Sequence, residues 1–174
     1  MSKIVLKVFL FIIVLVLLWN HLPYFYSNDK AVDYISSHAE TKSKGSCAGY
    51  VMRGFWHGGC PVGLVPAYGY GKILPLMGFQ EVQTKDYTPR KGDVSVLPQN
   101  KSHVFGHIAV YNGKQWVSDF RQNNMLCSKA YRDNGKFQIF RITDGWHWKH
   151  VWTSPVDWYG WIETAIKGWK NIKF

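Results

Sequence analysis

The first half of the chain carries its apolar residues at helical spacing. A repeat of apolar positions about three to four residues apart predicts a helix over residues 30–40. A second predicted helix covers residues 47–56, with Ser46 as its N-cap and a pair of glycines after its end. A short third helix is predicted over residues 72–77, although this segment contains a proline.

The second half of the chain has short runs rich in β-branched and aromatic residues, which is the pattern of strands. Asn112-Gly113, between two of these runs, predicts a tight hairpin turn. The four predicted strands cover residues 94–97, 104–111, 115–120 and 137–142. Because the helices precede a set of consecutive strands, we predict an α+β fold in which helices pack on an antiparallel sheet.

An unbroken apolar run, residues 8–19, lies near the N-terminus and follows Lys3 and Lys7. A span of roughly 20 residues crosses a bilayer, and flanking lysines stay on the cytoplasmic side. We therefore predict a membrane anchor that sends the remainder of the chain outward. A cleaved signal peptide is the alternative, but no small-residue cleavage site follows the run, and a buried core helix is a third interpretation.

The C-terminal part of the chain combines Trp and Lys, and Pro155 marks the start of a predicted helix there. Such an amphipathic helix either packs on the folded domain or binds a membrane or wall surface. The sequence is thus divided into an anchor or signal (1–26), a folded domain (27–145) and a Trp- and Lys-rich C-terminal helix (146–174).

Length and charge narrow the class of protein. The 174 residues suffice for one domain, and the net charge of +10 favours polyanionic partners such as anionic lipid, an acidic cell wall or nucleic acid. Nine Trp suit a membrane interface or the faces of sugars. The predicted export and the lack of a nucleic-acid-binding motif argue against nucleic acid.

Two residues carry the candidate chemistry. Cys47 lies in the first turn of a predicted helix, where unpaired N–H groups and the helix dipole favour a thiolate. His107 begins an apolar strand and supplies an imidazole that can take the thiol proton. The pair predicts a cysteine hydrolase, in which the thiolate attacks an amide carbonyl and forms a thioester before water releases the product.

A third residue should orient the imidazole. Asp119 is the first choice because it lies on the strand predicted to return beside His107. A shift of one residue in register would bring Ser118 to the same place, and Gln122 is the weaker third choice.

The remaining cysteines fit an exported protein. A disulfide between Cys60 and Cys127 would leave Cys47 as the single free thiol, although a sequence cannot show that their Cα atoms come within bridging distance. The three cysteines include no chelating C-x-x-C pair, and we expect neither a metal site nor a cofactor.

Three ordered segments resemble a known superfamily. Ser46-Cys47-Ala48-Gly49-Tyr50-Val51, Pro89-Arg90-Lys91-Gly92-Asp93-Val94-Ser95-Val96 and Gly106-His107-Ile108-Ala109-Val110-Tyr111 are similar to the blocks of the NlpC/P60 and CHAP papain-like peptidoglycan hydrolases. The resemblance spans residues 31–142. Many NlpC/P60 enzymes use a second His as the third residue, whereas this sequence has no His at Ser118 or Asp119, so the match is closer to divergent members such as type VI secretion amidase toxins and phage lysins.

The resemblance implies a papain-like fold with Cys47 as nucleophile and His107 as base. It further implies that amide bonds of the wall peptide are the substrate, and that an immunity protein is a partner if the chain is a toxin. We expect the catalytic domain to face the periplasm from the inner membrane, or to be exported. The alternatives are a lipid acyltransferase or hydrolase of the same fold, and a non-catalytic protein that binds a membrane or the wall.

Overall fold

The computed structural model describes residues 3–20 and 23–148, so the helix predicted to start at Pro155 lies outside it. The described helices are α1 (Lys3–Asn20), α2 (Asn28–His38), α3 (Cys47–His57), α4 (Tyr70–Leu76) and α5 (Lys129–Asn134), with a one-turn 3₁₀ helix at Ala67–Gly69. The described strands are β1 (Pro23–Tyr26), β2 (Gln80–Glu81), β3 (Val94–Leu97), β4 (His107–Tyr111), β5 (Trp116–Val117), β6 (Arg121–Gln122), β7 (Gln138–Arg141) and β8 (Gly145–Trp148).

Six of these strands form one antiparallel sheet in the order β2-β7-β3-β4-β5-β6. The central pair, β3 and β4, is buried along nearly its whole length. The predicted α+β class, with helices preceding an antiparallel sheet, is confirmed.

Helices α2 and α3 pack directly against each other, and α3 also lies on β4. Gly54 makes this contact possible, since a Cβ at this position would collide with the side chain of Ile35. Val51 and Phe55 on the inner face of α3 are fully buried in the main hydrophobic core. The helix that begins at Cys47 is therefore fixed against both a second helix and the central sheet.

Two predicted strands are shorter than expected. The strand predicted over 104–111 begins only at His107, because Gly106 adopts a φ of 69° and turns the chain immediately before it. The segment predicted as one strand over 115–120 is instead two short strands, β5 and β6, separated by a bend at Ser118 and Asp119. The side chains around this bend consequently point in directions that a continuous strand would not give them.

The N-terminal tyrosines belong to the folded domain. Strand β1 pairs antiparallel with β8, and its Tyr24 and Tyr26 are 7% and 1% exposed. The Tyr26 ring packs against Phe55 and Phe79 in the core. Strand β1 lies before residue 27, the predicted start of the hydrolase domain. Strand β8 extends past residue 145, the predicted end of that domain.

Helix α1 contains the apolar run that predicted a membrane anchor. Its side chains from Ile4 to Leu15 are exposed. Over the residues that the structure describes, however, no helix has both the length and the apolar character that a membrane span requires. The predicted anchor is therefore not supported.

A buried ion pair connects the sheet to the turn before β3. The Asp93 side chain is 0% exposed and accepts hydrogen bonds from Arg141 Nε at 2.6 Å and Nη2 at 2.8 Å. Its carboxylate also accepts from the Tyr87 hydroxyl and from the Arg90 backbone N–H. A fully desolvated carboxylate is stable only with such complete pairing.

We expect Asp93→Ala to lower the free energy of unfolding by about 3–5 kcal/mol, since it leaves the Arg141 guanidinium without its partner in a half-buried position. Chemical denaturation measures this loss. Asp133→Ala is the control, because its ion pair with Lys129 is largely exposed and is worth less than about 1 kcal/mol. Equal losses in the two variants would contradict the assignment.

Candidate active site

Cys47 is the first residue of α3, and its thiol is half-buried. Ser46 occupies the predicted N-cap position, although its side chain makes no capping hydrogen bond. Backbone N–H groups of Ile108, Ala48 and Cys47 itself surround the sulfur. Burial raises the pKa of the Cys47 thiol, and these N–H groups oppose the rise because they stabilise the thiolate.

The contact with Ile108 follows from the pairing of β4. The Tyr111 N–H bonds to Asp93 on the β3 side, so N–H groups of alternate residues, including Ile108, point the other way. Strand β5 pairs with β4 only at Val110 and Tyr111, which leaves that edge open at Ile108. The start of α3 occupies this open edge, and the thiol meets the residue that directly follows His107.

His107 is the first residue of β4 and is 7% exposed. Burial lowers the pKa of its imidazole to about 4, although the neighbouring Asp119 charge acts in the opposite direction. The imidazole is therefore neutral at physiological pH. Together with a raised thiol pKa, this means that the resting site holds a neutral thiol and a neutral imidazole rather than an ion pair.

Gln122 is the residue that contacts the imidazole. Its Nε2 lies 2.8 Å from His107 Nε2 and donates a hydrogen bond to Ser118 Oγ, also at 2.8 Å. The Ser118 hydroxyl in turn donates to Asp119 Oδ1 at 3.0 Å. All of these side chains are buried, and Gln122, Ser118 and Asp119 form a connected polar chain that starts at the imidazole.

Asp119, the predicted orienting acid, makes its hydrogen bonds elsewhere. Its Oδ2 accepts from the backbone N–H groups of Lys44 and Ser46 at 2.7 and 3.2 Å, and from the Ser43 hydroxyl at 3.0 Å. These donors belong to the loop that leads directly into Cys47. Asp119 therefore fixes the thiol side of the site, whereas Gln122 lies on the imidazole side.

Gln122 rather than Asp119 contacts the imidazole because of the bend between β5 and β6. The Asp119 carbonyl accepts from Glu40 N–H and the Glu40 carbonyl accepts from Arg121 N–H, which ties the bend to the chain just after α2. The chain resumes as β6 with Gln122 opposite Trp116. A sequence shows residues that alternate along a strand, but it does not show a bend held by a distant segment.

The three cysteines differ in their surroundings. The predicted Cys60–Cys127 disulfide is wrong, because the two residues form no disulfide and Cys60 is fully buried in the main core, whereas Cys127 is partly exposed. Burial raises the pKa of Cys127 to about 11, with the nearby Cys47 as a smaller contribution. Of the three cysteines, only Cys47 lies at a helix start, contacts the residue after His107 and is also partly exposed.

Metal ligands are not grouped in the structure. Within residues 3–20 and 23–148, no three His, Cys, Asp or Glu side chains converge in a way that could hold an ion.

Comparison with known proteins gives one clear relationship. No known family model and no curated protein matches the chain. Its structure is similar to that of the type VI effector in the native Tae3–Tai3 effector–immunity complex from Ralstonia pickettii, with a TM-score of 0.63 and 34% identity over 68% of this chain and 100% of the matched chain. The selenomethionine form of that complex matches with a TM-score of 0.59 and 34% identity, over 64% of this chain and 98% of the other.

The low pKa of His107 predicts a pH dependence of stability. Between pH 6.5 and 4 the unfolded chain binds a proton at this residue before the folded chain does, so stability falls as the pH falls through this window. The full loss is on the order of 3 kcal/mol, from about 1.4 kcal/mol per pKa unit. Urea unfolding of wild type and His107→Gln across this range isolates the contribution, and parallel pH profiles would refute it.

The hydrogen bonds of Asp119 predict a structural role for its carboxylate. Asp119→Ala leaves the Lys44 and Ser46 N–H groups without their acceptor, so we expect the free energy of unfolding to fall by about 2–4 kcal/mol. Thermal or urea denaturation measures this change. Asp144→Ala is the control, because its carboxylate accepts an exposed hydrogen bond from the Asn28 N–H, and a comparable loss there would argue against a special role for Asp119.

Proposed function

This chain belongs to the family of the type VI effector Tae3, and on that basis we propose that it is a peptidoglycan amidase or endopeptidase with Cys47 as its nucleophile. The observation that carries the proposal is the position of the Cys47 thiol. It lies at a helix start and on the N–H of Ile108, directly beside the imidazole-bearing residue. The three sequence segments that resemble peptidoglycan hydrolases agree with this position, since Cys47 and His107 each lie in one of them.

The first chemical step is proton transfer from the Cys47 thiol to the imidazole. His107 Nε2 faces Gln122, which leaves Nδ1 as the nitrogen for the thiol proton. Because the resting pair is neutral, this transfer accompanies attack on the substrate and does not precede it. Buried, low-dielectric surroundings favour such a coupled step, since they penalise separated charges.

The orientation of the Gln122 amide determines which imidazole nitrogen can accept a proton. When its NH₂ group faces His107, Nε2 is an acceptor and the ring hydrogen sits on Nδ1, where it blocks the thiol. Rotation of the amide presents Oε1 instead, and Nε2–H then donates to it and leaves Nδ1 bare. Ser118 can follow by donating to Oε1, because the Asp119 carboxylate keeps its three donors from the Ser43–Ser46 loop.

The remaining steps form a thioester on Cys47 and then hydrolyse it. The sulfur attacks the amide carbonyl carbon, and the resulting oxyanion is held by backbone N–H groups at the start of α3. The C–N bond then breaks as the imidazolium returns its proton to the leaving amine, and a thioester remains on Cys47. Water attacks this thioester with His107 as base, which releases a carboxylate and restores the thiol.

The proposed substrate also implies a place and a partner. Peptidoglycan lies outside the cytoplasm, so we place the activity in the periplasm. The related effector Tae3 is paired with the immunity protein Tai3. A cell that makes this chain therefore needs an immunity protein of its own to keep the site covered.

The experiment that tests the function incubates the purified full chain with peptidoglycan and reads the released fragments by mass spectrometry. Wild type should generate new amine ends. Cys47→Ala and His107→Ala should lower the rate by about a thousand-fold or more, as expected when a nucleophile or its base is removed. His38→Ala is the matched control, because this histidine is exposed at the end of α2, and it should retain the activity.

Gln122→Ala tests the imidazole side of the mechanism in the same assay. It should lower kcat by about 10- to 100-fold with little change in KM, because the orienting hydrogen bond matters most in the transition state. Identical products from wild type and Cys47→Ala would refute a thiol hydrolase. A Cys47-dependent release of fatty acid, with no wall fragments, would instead favour a lipid acyl hydrolase.

A further inference from the structure

A cavity of about 410 Å³ opens beside the catalytic residues. Its wall includes Gln122, which contacts the His107 imidazole, and Cys127, whose pKa is raised mainly by burial and in small part by the nearby Cys47. Its volume falls in the usual range of about 300–1,000 Å³ for ligand pockets. Three segments build it: the loop before Cys47 (41–43), the stretch around β6 (120–124), and the side chains of Cys127 and Arg132.

The charged side chains that line this cavity are all positive. Lys42, Arg121 and Arg132 line it, and its lining includes no carboxylate. None of these three cations forms an ion pair with another described residue. The buried acid Asp119 is not part of the lining, and its carboxylate already accepts four hydrogen bonds.

Both arginines are held in place but keep most of their donors. Arg121 Nη2 donates to the Ser36 carbonyl at 3.3 Å, and Arg132 Nη1 donates to the Leu126 carbonyl at 3.1 Å. A guanidinium has five N–H donors, so each can still bind a carboxylate through two parallel hydrogen bonds. The exposed Lys42 adds a third positive charge at the rim.

We propose that this cavity is the substrate subsite for a free carboxylate of the peptide whose amide bond Cys47 cleaves. The proposal rests on the proposed function and names the class of substrate, an acidic peptide. The wall peptide suits it because carboxylates stand next to its amide bonds. Arg132 and Arg121 bind the carboxylate and thereby set which amide carbonyl reaches the thiol.

The test measures binding and turnover separately. Binding is measured by calorimetry on full-length Cys47→Ala protein with two synthetic wall peptides, one with a free carboxylate beside the scissile bond and one with that carboxylate converted to a carboxamide. The acid form should bind at least about ten-fold more tightly, in line with the strength of charge-assisted hydrogen bonds. Arg132→Gln and Arg121→Gln in the same background should remove this preference and leave binding of the carboxamide unchanged.

Lys129→Gln is the matched control, because Lys129 lies on the same helix α5, is exposed, and is not part of the cavity lining. It should keep the full preference for the acid form. Equal affinity of the Cys47→Ala protein for both peptides, or a preference that survives Arg132→Gln and Arg121→Gln, would overturn the subsite.

Turnover by the chain with Cys47 intact separates this result from the proposed function. New amine ends from both peptides at the same rate would leave the hydrolase intact and overturn only the subsite. Tight, Arg132-dependent binding of the acid peptide without any cleavage would support the subsite and overturn the hydrolase.

Discussion

The buried Asp119 carboxylate is the constraint on which the site depends. A charge that is 0% exposed must have all its hydrogen bonds satisfied, and Asp119 meets this condition only when the loop before Cys47 presents two backbone N–H groups and a hydroxyl to it. The same carboxylate holds Ser118, which holds Gln122, which contacts His107. One buried carboxylate thus connects the loop before Cys47 to the side chain that contacts His107, although Cys47 and His107 are far apart in sequence.

Local chemistry explains why parts of this arrangement are visible in the sequence. Cys47 after Ser46 predicts a thiol at a helix start, and His107 before an apolar run predicts an imidazole at a strand start, because caps and alternation are local properties. The strand predicted at 94–97 is found at the same residues. The partner of the imidazole is different, because Gln122 reaches it only after a bend that Glu40 stabilises from another part of the chain.

The aromatic residues near the N-terminus are a second case in which the sequence does not show a long-range contact. Tyr24 and Tyr26 follow a long apolar run, and composition alone associates aromatic residues in that position with a membrane interface. Their burial depends on β8, a strand more than a hundred residues away, and on a core that includes Phe55 and Phe79. Tyr24 and Tyr26 are therefore core residues because β1 pairs with β8. No local feature of the sequence indicates that β8 is the partner strand.

Electrostatics connect the cavity to the chemistry. In the proposed mechanism His107 takes up a proton, yet burial lowers its pKa to about 4, and three cations line the cavity next to its partner Gln122. An anion bound in that cavity would stabilise the imidazolium and raise the pKa of His107 toward neutrality, because an opposite charge nearby favours the charged form. Substrate binding would then do more than position the amide bond. It would add a second negative charge to that of Asp119, which already favours the imidazolium, so that the imidazole becomes a stronger base when an acidic peptide is in place.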